Sequence, residues 1–183
     1  MTYRCFFALE VPEPLRANLV HTLRDISKIP GVNWVPPQNL HLTLLFLGDV
    51  KQELVPALTQ IQLDSSDIWK SISMSARGID LFPAKAPRLV WVNLQAEDKS
   101  IFDLHKELGR QIRALGIELD GKALKLHITL GRIKAQLPPQ VERSLIESPL
   151  DTQYLIYDQL TLYRSVLRPE GPIYSIIEQS KLR

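Results

Sequence analysis

The chain has 183 residues, 45% hydrophobic and 23% charged, a balance that fits a globular protein with one sizeable core and leaves no room for two ordinary domains. A net charge of +2 argues for no nucleic-acid surface from the total alone, and the single cysteine, Cys5, excludes an internal disulfide and a thiolate metal cluster. No apolar run approaches the roughly 18 residues that span a bilayer and the first ten residues lack the core of a secretory leader, so a cytoplasmic protein with no membrane contact is expected.

Residues 3–10 alternate as a strand, and Pro12 and Pro14 then open a helix over 15–29, with Leu15, Leu19, Leu23 and Ile26 at helical spacing. Pro30-Gly31 ends it. Residues 32–35 form a short strand that passes through the stiff loop Pro36-Pro37-Gln38-Asn39 into the apolar run Leu40-His41-Leu42-Thr43-Leu44-Leu45-Phe46-Leu47. A turn at Gly48-Asp49 and a modest helix over 52–61 follow, then two alternating strands over 71–82 and 88–94 that pair antiparallel around Pro83 and Pro87. The clearest amphipathic helix covers 98–115, with Ile101, Leu104, His105, Leu108, Ile112 and Leu115 on one stripe. Next comes Leu126-His127-Ile128-Thr129-Leu130-Gly131-Arg132, then a helix over 140–146 opened by Pro138 and Pro139, and strands over 154–163 and 173–178 joined by a connection over 164–172. The order predicts an α+β fold of mostly antiparallel strands with helices outside, one domain over 1–183.

Two copies of His-x-Thr-Leu at half-chain spacing suggest two facing halves. Side chains on a strand alternate between faces, so His41 and Thr43 point the same way, as do His127 and Thr129. Leu40, Leu42, Leu44 and Phe46 then belong on the core face of the first strand, and Leu126, Ile128 and Leu130 on that of the second. Each strand offers one imidazole and one hydroxyl to a shared cleft. The window 121–141 carries Lys122, Lys125, Arg132 and Lys134 and no acidic residue, which suits a phosphate-bearing ligand around His127.

A phosphodiester cleaved in line needs one base, one acid, and donors for the non-bridging oxygens. Two imidazoles with ordinary pKa near 6.5 fit the first two needs, and two threonine hydroxyls fit the third. Hydrolytic zinc needs about three protein ligands, whereas Asp49, Asp80 and Asp120 sit in turns with no motif tying them to either histidine, so neither a metal nor another cofactor is expected. His21 and His105 lack such a context and read as structural.

The chain resembles the two-histidine phosphoesterases, and among them the RNA 2′,3′-cyclic phosphodiesterases of the LigT type, also called 2′-5′ RNA ligases. The resemblance rests on Arg4-Cys5-Phe6-Phe7-Ala8-Leu9-Glu10-Val11-Pro12, the block from Trp34 to Val50, the segment 88–92, His127 to Arg132, Leu162-Tyr163-Arg164-Ser165 and Gly171-Pro172-Ile173-Tyr174. It implies a bilobal, pseudo-two-fold fold around a central cleft and metal-independent opening of a terminal cyclic phosphate to a 2′-phosphate. It further implies His41 as proton donor, His127 as proton acceptor, Thr43 and Thr129 as phosphate ligands, Arg132 nearby and Phe7 as a wall for the terminal base. Alternation puts Arg132 opposite His127, so its side chain is expected to curl round the strand end. Leu126 stands where many relatives have proline. Expected partners are RNA with cyclic phosphate ends or small nucleotides, met by a monomer. Reversible 2′-5′ joining, hydrolysis of a 2′-5′ oligonucleotide or small cyclic nucleotide, and a non-catalytic RNA- or nucleotide-binding module stay open as alternatives.

Overall fold

Prolines at the junctions and strand-forming runs between them divide the chain, and the computed structural model, which describes residues 1–169 and 171–183, follows those divisions. The elements are β1 (Thr2–Glu10), α1 (Glu13–Ile26), β2 (Val32–Trp34), a 3-10 turn (Pro37–Asn39) and β3 (His41–Lys51). A second 3-10 turn (Gln52–Leu54) leads into α2 (Val55–Ile68), followed by β4 (Ile72–Phe82), β5 (Leu89–Ala96) and α3 (Ser100–Ala114). β6 (His127–Ile133), α4 (Pro139–Ile146), β7 (Tyr154–Tyr157), β8 (Gln159–Arg168) and β9 (Gly171–Lys181) complete the chain.

The strands form two sheets, one in the order β3-β1-β8-β9 and one in the order β2-β6-β5-β4-β7, with every pairing antiparallel. The two sheets approach each other along β3 and β6, the strands that carry the two His-x-Thr pairs. α2 packs on β8 and β9, α3 on β3, and α4 on β4. One buried apolar cluster draws Leu42, Leu44, Ile128 and Leu130 from those two strands together with Leu15, Leu58, Ile101 and Leu145 of the helices. Each such side chain contributes about 1.5–3 kcal/mol when removed from water. That burial leaves the opposite face of β3 and β6 to the cleft.

Four expectations change. Gly48 and Asp49 form no turn: β3 runs on to Lys51, and Gly48, at φ +68°, sits beside a register shift opposite Cys5. The helix expected over 52–61 extends to Ile68. The expected strand over 154–163 is two strands, because the chain leaves one sheet after Tyr157 and enters the other at Gln159. The expected connection over 164–172 is mostly strand, since β8 continues to Arg168 and β9 begins at Gly171. Glu170, within that connection, lies outside the described residues. No helix is long and apolar enough to cross a membrane among the described residues.

Candidate active site

Both histidines stand at the first position of their strands, each aimed by a backbone carbonyl two residues upstream. His41 Nδ1 lies 2.7 Å from the carbonyl oxygen of Asn39, and His127 Nδ1 lies 2.8 Å from that of Lys125. A carbonyl can only accept, so Nδ1 carries the proton in both rings and Nε2 holds the lone pair of the neutral form. His41 Nε2 lies 3.0 Å from Thr43 Oγ1. Proline at the 3-10 turn stiffens the backbone that presents the Asn39 carbonyl, and Arg16 donates to the Pro37 carbonyl at 2.9 Å.

Cross-strand register sets the groups around each ring, and the two halves correspond. Glu10 is paired with His41 and Ala8 with Thr43; Asn93 is paired with His127 and Trp91 with Thr129. The position opposite the histidine therefore holds a carboxylate in one half and a neutral amide in the other. Glu10 accepts from Tyr163 Oη and is bridged by Arg16 at 3.2 Å, while Asn93 donates to Asp80. Phe6 lies 5.0 Å from the His41 ring, and Trp91 lies 4.4 Å from the His127 ring and stacks on Phe82 at 4.2 Å. Lys125 places its ammonium 4.6 Å from the Phe82 centroid.

Each His-x-Thr-Leu strand then breaks alternation at the same place. Opposite β1 the register slips between Thr43 and Leu45, and opposite β5 it slips between Thr129 and Gly131, so Leu44 and Leu130 are the extra residues of two bulges. Every side chain beyond a bulge changes face. Phe46 leaves the core face expected for it and is 60% exposed, 5.8 Å from Phe6. Arg132 pairs with Leu89 and returns to the face of Thr129 and His127, so it needs no curl round the strand end. Phe46 and Arg132, each five residues after its histidine, thus occupy corresponding places on the two walls.

Phe7 requires a correction. It pairs with Leu45 and is fully buried in the main core, so it cannot wall a base. Its neighbour Phe6 shares a face with Ala8 and Glu10 and packs with Tyr163 at 5.1 Å and Tyr174 at 5.1 Å. Glu10, Phe6, Trp91, Tyr163 and Tyr174 were all missed as site residues. For Phe6 the signal was present: Glu10 must be wet, and Phe6 has the same parity. His21 is exposed on α1 and His105 half-buried on α3, away from the pair.

Burial pushes the His41 pKa below the ordinary imidazole value, against the Asn39 carbonyl and the Glu10 carboxylate, which pull it up; the charge of His127 adds to the lowering, so the two rings feel each other. Burial also pushes His127 down, its Lys125 carbonyl opposes, and the Lys125 ammonium lowers it further. Among the described residues no three His, Cys, Asp or Glu side chains gather into a set that could hold a metal ion.

A family model described as LigT like phosphoesterase matches residues 9–92 and 93–174. The RNA 2′,3′-cyclic phosphodiesterase of Thermus thermophilus is 33% identical over 98% of this chain and 90% of its own length. That of Archaeoglobus fulgidus is 32% identical over 93% of this chain and 96% of its own length. The crystal structure of the Thermus thermophilus protein TT0787 superposes with a TM-score of 0.84 at 31% identity, covering 98% of both chains.

Proposed function

The chain belongs to the LigT-like phosphoesterases, and from that premise we propose that it hydrolyses RNA 2′,3′-cyclic phosphate ends to 2′-phosphates, with His127 as general base and His41 as general acid. The observation that carries the role assignment is the pair of residues facing the two rings: Glu10 opposite His41 and Asn93 opposite His127. A carboxylate favours the imidazolium wanted in an acid, and a neutral amide with a nearby ammonium favours the free base.

In the reaction, water attacks phosphorus and loses a proton to His127 Nε2. The bond from phosphorus to O3′ breaks, and O3′ takes the proton from His41 Nε2. The products are a 2′-phosphate and a 3′-hydroxyl, with the two protons then exchanged through solvent. Thr129 and Thr43 donate to the non-bridging oxygens. In the resting site Thr43 donates to the neutral His41 Nε2; once that nitrogen carries a proton the hydroxyl is released to the phosphate. Arg132, on the same face as His127, supplies positive charge to the phosphate. Phe46, exposed beside Phe6, offers a stacking surface for the terminal base.

The test is a short RNA ending in a 2′,3′-cyclic phosphate, incubated with the protein in the presence of a chelator. A 2′-phosphate product is expected; a 3′-phosphate, or turnover that requires added zinc, contradicts the reading.

Glu10→Gln tests the electrostatics. Removing the carboxylate lowers the His41 pKa, so the acid loses its proton at lower pH, while the base, on which Glu10 does not act directly, shifts far less. The optimum of kcat/KM, midway between the two apparent pKa values of the pair, then moves to lower pH and the rate above it falls. An optimum that stays in place or moves up would falsify the assigned influence of Glu10.

A further inference from the structure

Two tyrosines pack beside His41, and their hydroxyls have different fates. Tyr163 Oη is committed to Glu10. Tyr174 reaches the same aromatic group from β9, where it pairs with Ser165, two residues along β8 from Tyr163 and on the same face. Its ring stands almost perpendicular to that of His41, at 83° with centroids 5.4 Å apart, and edge-on to Phe6 at 5.1 Å. Tyr174 is half-buried, and among the described residues its hydroxyl has no hydrogen-bond partner and is not sealed from solvent.

The opposite wall supplies the second observation. Arg132, turned into the cleft by the bulge at Leu130, lies near enough that its cation favours the Tyr174 phenolate, against the dominant effect of burial, which keeps the phenol protonated. The phenol thus lies beside the ring proposed as general acid and within electrostatic reach of the cation proposed to face the phosphate. The backbone fixes this placement. The Asn39 side chain donates to the Pro172 carbonyl at 3.3 Å, while the Asn39 carbonyl holds His41 Nδ1. One residue therefore anchors both the His41 ring and the start of the strand that carries Tyr174.

We infer that Tyr174 is a further substrate-binding donor, its hydroxyl giving a hydrogen bond to a non-bridging oxygen of the cyclic phosphate held between His41 and Arg132. This rests on the proposed phosphodiesterase reading. A neutral phenol donates without giving up its proton, so the step adds no proton transfer to the scheme. Negative charge grows on the non-bridging oxygens during attack, so the bond strengthens toward the transition state. The site then has three hydroxyl donors, Thr43, Thr129 and Tyr174. The two threonines come from the two corresponding strands, and the tyrosine from a hairpin that belongs to one sheet only.

Tyr174→Phe removes the hydroxyl and keeps the ring against His41 and Phe6, whereas Tyr174→Ala removes both. On RNA with a cyclic end, Tyr174→Phe is expected to lose about tenfold or more in kcat/KM, the scale of one hydrogen bond to a charged group, with an unchanged melting midpoint. Wild-type kinetics in Tyr174→Phe overturn the inference, including the case in which only Tyr174→Ala is impaired, because the ring alone would then explain the residue. Should the wild-type protein hydrolyse no such RNA, the functional reading fails and calorimetric binding of inorganic phosphate decides this inference separately. Weaker binding by Tyr174→Phe than by wild type sustains it, and equal binding overturns it.

Discussion

His127→Ala is expected to lower kcat/KM on cyclic-ended RNA at least about 10²-fold, and His41→Ala to do the same, the usual scale for one general acid or base. Neither ring has a stand-in. Beside His127 the indole of Trp91 can only donate, and the Lys125 ammonium lies over the Phe82 ring. Beside His41 the Tyr163 hydroxyl is already given to Glu10, and the Tyr174 phenol, which burial keeps protonated, is a far weaker acid than an imidazolium. The two groups act in one displacement, so the double variant should fall well short of the product of the single losses. Both rings are only partly buried and keep their aromatic neighbours, so the single variants should fold. Single-turnover assays read the losses, and near-wild-type rates in both variants contradict the mechanism.

Gly131→Val is expected to cost about 1–3 kcal/mol of stability and to misplace Arg132 as well. Gly131 is buried just past the β6 bulge and pairs with Trp34 of the edge strand. A Cβ built there would meet Val32 Cγ1 at 2.6 Å and the Trp34 ring at 3.0 Å. Trp34 is itself held by its indole N–H to the Ile29 carbonyl, so it yields poorly. Relief must come from β2 moving off β6 or from the bulge reshaping, and either shifts Arg132, which lies between Leu89 and Asn33 in register. Thermal unfolding should rank wild type above Gly131→Ala and that above Gly131→Val, with activity falling in the same order. A valine variant with wild-type melting and activity contradicts the claim that this close approach positions the arginine.

The two His-x-Thr pairs, their common face and the antiparallel α+β class were legible because strand alternation and half-chain repetition are properties of the residues themselves. What lay beyond each threonine was not. A bulge is a mismatch in residue count between two strands, and nothing in Leu44-Leu45-Phe46 or Leu130-Gly131-Arg132 alone says that the partner strand is one residue short. Strict alternation therefore sent Phe46 into the core and Arg132 away from the cleft. The same reading carried through β1 would have chosen Phe6 over Phe7, since Glu10 fixes the parity. Tyr174 and Asn93 were hidden for a different reason: they join the site through pairings between distant segments. The sheet switch at Asp158 was masked by the apolar run on both sides of it.

The most direct measurement of the acid–base assignment replaces the leaving oxygen by sulfur, using an RNA end whose cyclic phosphate has a 3′ bridging sulfur. A thiolate leaves without protonation, so the substrate removes the need for the acid and keeps the need for the base. His41→Ala should recover most of its activity on this substrate while His127→Ala stays impaired. Recovery by His127→Ala with His41→Ala still inactive would reverse the two roles and contradict the account.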